Sequence, residues 1–215
     1  MRRFGACLCL LAMTLAAQSH DWIIVPGERV GPITRSSTMD TLKQQFGAAN
    51  VIEKSIATSE DGIERPTAIV YPDAPARTLA IVWGEGDKAG HPDTVIVCYQ
   101  MEYKPELPCD WKTAEGITKA TTMQQLERLN GRMFRILGFG VDNGGAVTSW
   151  GGGRLESLKD GGVLLRLTPD PAAKAQPSFQ QNFHQVQSDR FFSSGHPAMQ
   201  ALNPRVDSLV FSFAK

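Results

Sequence analysis

Residues 33–47 (ITRSSTMDTLKQQFG) and 117–131 (ITKATTMQQLERLNG) align without a gap at an offset of 84. They match at Ile33/Ile117, Thr34/Thr118, Thr38/Thr122, Met39/Met123, Leu42/Leu126 and Gly47/Gly131. Average residue usage would give about one identity in such a window. The matches include the cap, the apolar face and the stop of one short helix. An internal duplication constrains the architecture strongly, because what one copy folds into the other must also fold into. It names no chemistry.

In the second copy Thr121 or Thr122 can cap the helix, with Gln124 or Gln125 three residues on to complete a capping box. Met123, Leu126 and Leu129 share a face, and Gly131 stands where a left-handed stop is wanted. The first copy offers Met39, Leu42 and Phe46 on the corresponding face. Two helical turns do not persist alone in water, so each helix must lie on a sheet. Residues 132–139 (RMFRILGF) predict a strand, Asp142-Asn143-Gly144-Gly145 a tight hairpin and 146–150 the returning strand. Residues 162–168 and 206–213 supply two more strands. The first copy has strand patterns at 50–57, 66–71, 78–83 and 94–99.

The expected fold is therefore α+β, with two tandem αββββ repeats in which short helices pack on antiparallel sheets. The first repeat spans residues 20–108 and the second 109–215. Two-turn helices cover little of a four-stranded sheet, so close contact between the halves is expected.

Residues 1–19 read as a signal peptide. Arg2 and Arg3 make a basic start, 4–17 is an apolar run too short for a bilayer span, and Ala16-Ala17-Gln18-Ser19 offers small residues for cleavage. Cys7 and Cys9 lie inside that run, so neither is placed for lipidation, and a periplasmic or secreted location is expected. No later stretch is apolar enough to span a membrane. Without the signal, 20 basic residues face 22 acidic ones. That balance argues against nucleic acid as a partner, because phosphate binding needs a basic surplus on one face. In an oxidising compartment the remaining pair, Cys98 and Cys109, predicts a disulfide. A redox role would favour the C-x-x-C spacing, which is absent.

The order of short capped helix then antiparallel strands, duplicated, with an I-x-x-x-S/T-T-M-x-x-L-x-x-x-x-G helix signature behind a signal peptide, resembles the tandem fold of the β-lactamase inhibitor protein family. It resembles, more loosely, the single-copy outer-membrane assembly lipoproteins of the BamE family, from which it departs in having two copies and no lipidated cysteine. The resemblance implies a protein that acts by binding other proteins. The pattern GFG-x-D-x-GG-x-V-x-SW-x-GG-x-L at residues 138–155 also resembles uncharacterised exported bacterial proteins and implies no chemistry.

Candidate sites fall where the two copies differ. Gly138, Gly140 and Gly144 approach a dinucleotide fingerprint, but the spacing is G-x-G-x-x-x-G and a strand follows, so hairpin geometry is expected. Gly151-Gly152-Gly153 lacks the Lys-Ser/Thr and helix of a phosphate loop, which leaves a bulge or strand bend. Beside it stand Trp150 and Arg154, with Asp142 across the hairpin. An outward Trp150 next to a guanidinium would make a binding anchor; an inward one would be core.

Between the third and fourth strands, the second copy carries a long insertion, 169–205. It holds Phe179, Phe183, Phe191 and Phe192, too many aromatic residues for a floating linker. Either they strap the insertion over the sheet, or Arg190, Phe191 and Phe192 form a docking lip.

Gly90-His91-Pro92 and Gly195-His196-Pro197 are turn signals before a fourth strand, and His184 adds no metal-ligand spacing. No catalytic residue, metal site or cofactor is assigned. His20, near the cleavage point, would make an amino-terminal copper site only if the cut exposed it.

The leading expectation is an exported, non-enzymatic binding module whose partner is a protein or another cell-envelope component. The alternative is an exported hydrolase or metal-dependent enzyme built from His184 and His196 of the insertion with Asp142 or Arg190. That reading requires those groups to converge in one pocket.

Overall fold

The computed structural model describes residues 21–57, 62–99 and 107–213. The expected signal segment and His20 lie outside the described residues, as does most of the passage between the two cysteines. Strands β1 (Ile23–Val25), β2 (Arg29–Val30) and β3 (Ile33–Thr34) lead into helix α1 (Met39–Phe46). Strands β4 (Val51–Ala57), β5 (Glu64–Val70), β6 (Leu79–Trp83) and β7 (Pro92–Val97) follow. Strand β8 (Lys112–Thr113) precedes α2 (Met123–Asn130), β9 (Arg135–Leu137), β10 (Val147–Ser149), α3 (Glu156–Asp160) and β11 (Val163–Thr168). The insertion contains α4 (Pro171–Lys174), α5 (Phe179–Val186), β12 (Phe191–Ser193) and α6 (Pro197–Leu202), and the chain returns in β13 (Arg205–Ser212). The fold is α+β.

The two matched segments adopt matched local structures. Thr38 and Thr122 each cap their helix in a reciprocal box: the cap hydroxyl accepts from the third helical N–H, and that residue's side-chain oxygen accepts from the cap N–H at 2.7 Å. Of the two pairings open in the second copy, the box uses Thr122 and Gln125. One turn earlier the amides of Thr34 and Thr118 donate to the hydroxyls of Ser37 and Thr121, each at 3.0 Å. Ile33 and Ile117, and Leu42 and Leu126, are all fully buried. Gly131 takes the left-handed conformation (φ +78°), and its N–H closes the helix on the Glu127 carbonyl.

The strands assemble in an order that local pattern does not show. The first half's strands run consecutively, and β13 pairs with β7, so the large sheet reads β4-β5-β6-β7-β13-β11. The four strands expected for the second repeat do not form one sheet by themselves. Its last two join the first half, while β10 and β9 make a three-stranded sheet with β12 from the insertion. A single antiparallel bridge, Ala146 to Arg166, links that small sheet to β11. The order is palindromic about the β7–β13 seam: first-half strands one to four, then second-half strands four to one. A third sheet, β3-β2-β1-β8, contains the parallel pair β1–β8, which differs from the antiparallel pairing expected throughout.

The insertion is largely part of the body. Asp170 caps α4 ahead of Pro171, and His196 caps α6 ahead of Pro197, whose missing N–H costs nothing in a first turn. Ala198, Met199 and Leu202 of α6 are buried in the main core together with Leu42, Leu126 and Leu165. The Gly-His-Pro tripeptide at 195–197 thus opens a helix, whereas at 90–92 it leads into β7. The residues that follow decide: Val95, Ile96 and Val97 favour a strand, Ala198, Met199 and Leu202 a helix.

Cys98 and Cys109 are joined in a disulfide across a separation of 11 residues, with Cα atoms 5.9 Å apart. Next to it Trp111 is fully buried, edge-on to Trp22 at 4.9 Å, and its indole N–H donates to the Arg77 carbonyl. The Arg77 guanidinium lies 5.0 Å from the Trp22 ring centroid and bonds Asp110 at 2.9 Å. The disulfide ties Cys98, just after β7, to Cys109, two residues before Trp111. Replacing both cysteines by serine is expected to lower the unfolding free energy by about 2 to 3 kcal/mol, the loop-closure value for so short a loop. Urea unfolding of the oxidised protein and the double variant checks it.

Candidate functional site

Alternation along a strand sends neighbouring residues to opposite faces, and residues in register across strands share a face. One register row of the large sheet is Val51, Val70, Leu79, Val97, Leu209 and Leu165. All six lie in the main core, where the buried residues of α1, α2, α3, α5 and α6 also pack. The adjacent row, pointing the other way, is Ile52, Ile69, Ala80, Ile96, Val210 and Leu164. It is as apolar as the helix-covered row. Ile56, Ile69 and Ala80 form a second cluster, flanked by Ile96 and Tyr99, to which no described helix residue belongs. Burial raises the Tyr99 phenol above its ordinary range. At the two ends of the row Ile52 is 41 % and Leu164 52 % exposed.

The same face continues onto the small sheet. Arg166 opposes Ala146 in the bridge, Leu137 donates its N–H to the Ala146 carbonyl, and Phe191 opposes Leu137. Phe191 is 60 % exposed at the rim, on the edge strand β12. Phe192, the next residue, opposes Ile136 and turns inward against the main core, edge-on to His196. Arg190 is exposed, and its carbonyl accepts from the Gly138 N–H at 2.8 Å. The three residues expected as a docking lip are therefore divided: Arg190 and Phe191 face out, and Phe192 is packing.

Trp150 is core, which corrects its reading as a surface anchor. It is 2 % exposed, with its ring 4.9 Å from that of Phe134. The register of β10 on β9 shifts between Val147 and Ser149, and this irregularity resets the alternation that would otherwise have to place Trp150. Arg154 is exposed and lies over the end of α2, where a Cβ on Gly131 would meet its guanidinium nitrogen at 3.6 Å. A cation there favours the negative end of the helix dipole. Asp142 is exposed in the hairpin turn, and no hydrogen bond or ion pair joins it to Arg154 among the described residues. Gly151 and Gly152 adopt left-handed conformations in a tight turn, not the bulge or strand bend expected there.

Among the described residues no hydrogen bond or ion pair joins the groups required by the enzymatic alternative, His184, His196, Asp142 and Arg190. The His196 Nδ1 accepts from the Ala198 N–H at 3.2 Å as a helix cap, while His184 is exposed on α5. Among the described residues no three metal-ligating side chains lie together, and no helix is long and apolar enough to cross a membrane.

Residues of the helix-free row were absent from the sequence candidates, although a signal existed. The segments Ala68-Ile69-Val70 and Leu79-Ala80-Ile81-Val82 are apolar without alternation, the pattern of strands buried on both faces. Comparison with protein-family models, with characterised proteins and with solved structures gives no match to this chain.

Proposed function

We propose that this chain is an exported binding module whose contact surface is the helix-free face of the sheet, from Ile52 through Leu164 to Phe191, and whose partner is a protein of the cell envelope or extracellular space. One observation carries the reading: two adjacent register rows are equally apolar, yet among the described residues helices pack on only one of them. Ile69 and Ala80 are already buried, but Ile52 and Leu164 are exposed and Ile96 and Val210 half-buried, and these favour a partner that removes them from water, at about 25 cal/mol per Å² buried. Exposed Phe191 and Arg190 at the rim are of the residue types that anchor interfaces.

The resemblance to the β-lactamase inhibitor protein family supports the same use, as does the palindromic strand order, which two copies of one unit would produce when joined at their last strands. The intact disulfide and the signal-like first 19 residues support export.

The test is retention of a partner from envelope extract by the immobilised mature protein. The wild type is expected to hold a partner. The Ile52→Asp, Leu164→Asp double variant, with an unchanged melting temperature, is expected to lose it by about tenfold or more. Arg128→Glu, on the exposed side of α2, should retain it. Reproducible failure of the wild type to hold any protein, or undiminished retention by the double variant, would overturn the proposal.

A further inference from the structure

One concavity, independent of the sheet-face reading, combines an aromatic wall with positive charge. It is a cleft of about 600 Å³ between the hairpin turn that follows β9, the paired ends of β11 and β13, and helices α4 and α5. Pockets of roughly 300 to 1,000 Å³ take small molecules. Its wall is a stack of three rings. Phe139 and Phe183 have centroids 6.0 Å apart with planes at 16°, and Phe183 and Phe179 are 5.5 Å apart at 21°. Phe179 and Phe183 stand four residues apart on α5, so they share a face of that helix.

The charge comes from two elements. Lys174 is exposed in the last turn of α4 and makes no ion pair among the described residues. Arg166 lies 3.6 Å from the carboxylate of Asp207, whose side chain is buried. Asp207 is also close to Lys119, whose pKa is lowered by burial, with Asp207 opposing that shift and Arg205 adding to it. One buried acid thus serves both Arg166 and Lys119, and Lys174 is left without an ion pair among the described residues.

The third wall is backbone. Gly140, Val141 and Asn143 of the exposed turn line the cleft, whereas Asp142 between them does not, and the amides of the three lining residues donate no hydrogen bond among the described residues. Gly140 (φ +73°) and Asn143 (φ +57°) bend that turn through left-handed conformations. Runs of free amides in such turns attract anions. This is the glycine segment whose spacing misses the dinucleotide fingerprint.

The geometry points to this cleft as a binding site for a small aromatic carboxylate, with the ring system against the half-buried Phe179 and Phe183, which buried Phe139 backs, and the anion toward Lys174. A single cation suits a monoanion better than a phosphate dianion, which would call for a second. The neutral body gains from the rings, and the charge selects among flat molecules.

Anilinonaphthalene sulfonate is a probe with this chemistry, and its fluorescence titration tests the site in the full-length mature protein. Saturable binding at one site, displaced by naphthoate, is expected. Lys174→Glu, on an exposed position, should weaken it about tenfold without changing the weaker binding of the neutral analogue phenylnaphthylamine. Phe183→Ala should weaken both dyes, and Ile52→Asp, on the sheet face, neither. If Ile52→Asp and not Lys174→Glu reduces binding, the dye reads the sheet face and the cleft proposal falls. It falls equally if Lys174→Glu leaves the affinity within about twofold, or if the wild type shows no saturable binding. Failure of the envelope-partner experiment would leave these outcomes untouched.

Discussion

Trp150→Ala lowers the unfolding free energy by about 3 to 5 kcal/mol, the cost of emptying a large aromatic site in a packed core. For a chain of this size the melting temperature falls by roughly 6 to 20 °C. The indole is 2 % exposed against Phe134 and belongs to the core that also holds Leu126 of α2 and Leu155. Trp150→Phe keeps most of the volume and should lose less. Thermal unfolding of the two variants decides the point. A shift of no more than a degree or two in the alanine variant would mean that the ring does not fill this core. Because Trp150 points away from the sheet's helix-free face, the same variant should retain any partner bound there at temperatures where it stays folded.

Asn130→Ala is expected to cost about 3 to 4 kcal/mol, by a different route. The Asn130 side chain is almost fully buried at the end of α2 and makes three bonds there. Its Nδ2 donates to the carbonyls of Arg132 (3.0 Å) and Trp150 (2.9 Å), and its Oδ1 accepts from the Leu155 N–H (3.1 Å). Alanine leaves the Leu155 N–H and the Arg132 carbonyl without this partner, and buried unpaired groups are expensive; the Trp150 carbonyl keeps its bond from the Gly153 N–H at 3.1 Å. This side chain also explains the third glycine of the 151–153 run. A Cβ on Gly153 would stand 2.1 Å from the Asn130 Oδ1, so no side chain fits there while Asn130 is in place. Gly153→Ala should therefore be strongly destabilising in the wild type and much less so in the Asn130→Ala background. Additive costs in that double-mutant cycle, measured by urea unfolding, would sink the account.

The two capped helices were legible because everything that makes them is local. Cap, reciprocal partner, apolar face and left-handed stop lie within ten residues of one another, and each matched position has the same role in both segments. The four strands that follow α1 were legible within about two residues for a similar reason, whereas β1, β2 and β3, each two or three residues long, were not expected, because so short a stretch shows no alternation. The disulfide followed from two cysteines and an expected compartment. The placement of β13 beside β7 was not legible, since pairing between strands distant in sequence leaves no mark in either strand alone. The orientation of Trp150 was lost to the register shift in β10, which defeats counting by alternation. The helices of the insertion left a signal that went unused: Asp170-Pro171 and His196-Pro197 are each a capping side chain followed by a proline suited to a first turn. As for the candidate site, the apolar runs of β5 and β6 announced cover on both faces. Which residues form the helix-free row depends on register across six strands, and only the assembled sheet shows it.

The position of β13 also bears on when this protein can fold. It is the last strand of the described chain, yet it lies inside the large sheet, hydrogen-bonded to β7 on one side and β11 on the other. Until it arrives, β7 and β11 have no common partner, and the core side chains Leu209 and Phe211 are missing from between them. Synthesis proceeds from the amino terminus, so the large sheet stays in two pieces until β13 has been made. Long-range pairing of this kind is slow. Closure of the large sheet therefore waits on β13, although β4 to β7 can already have paired among themselves.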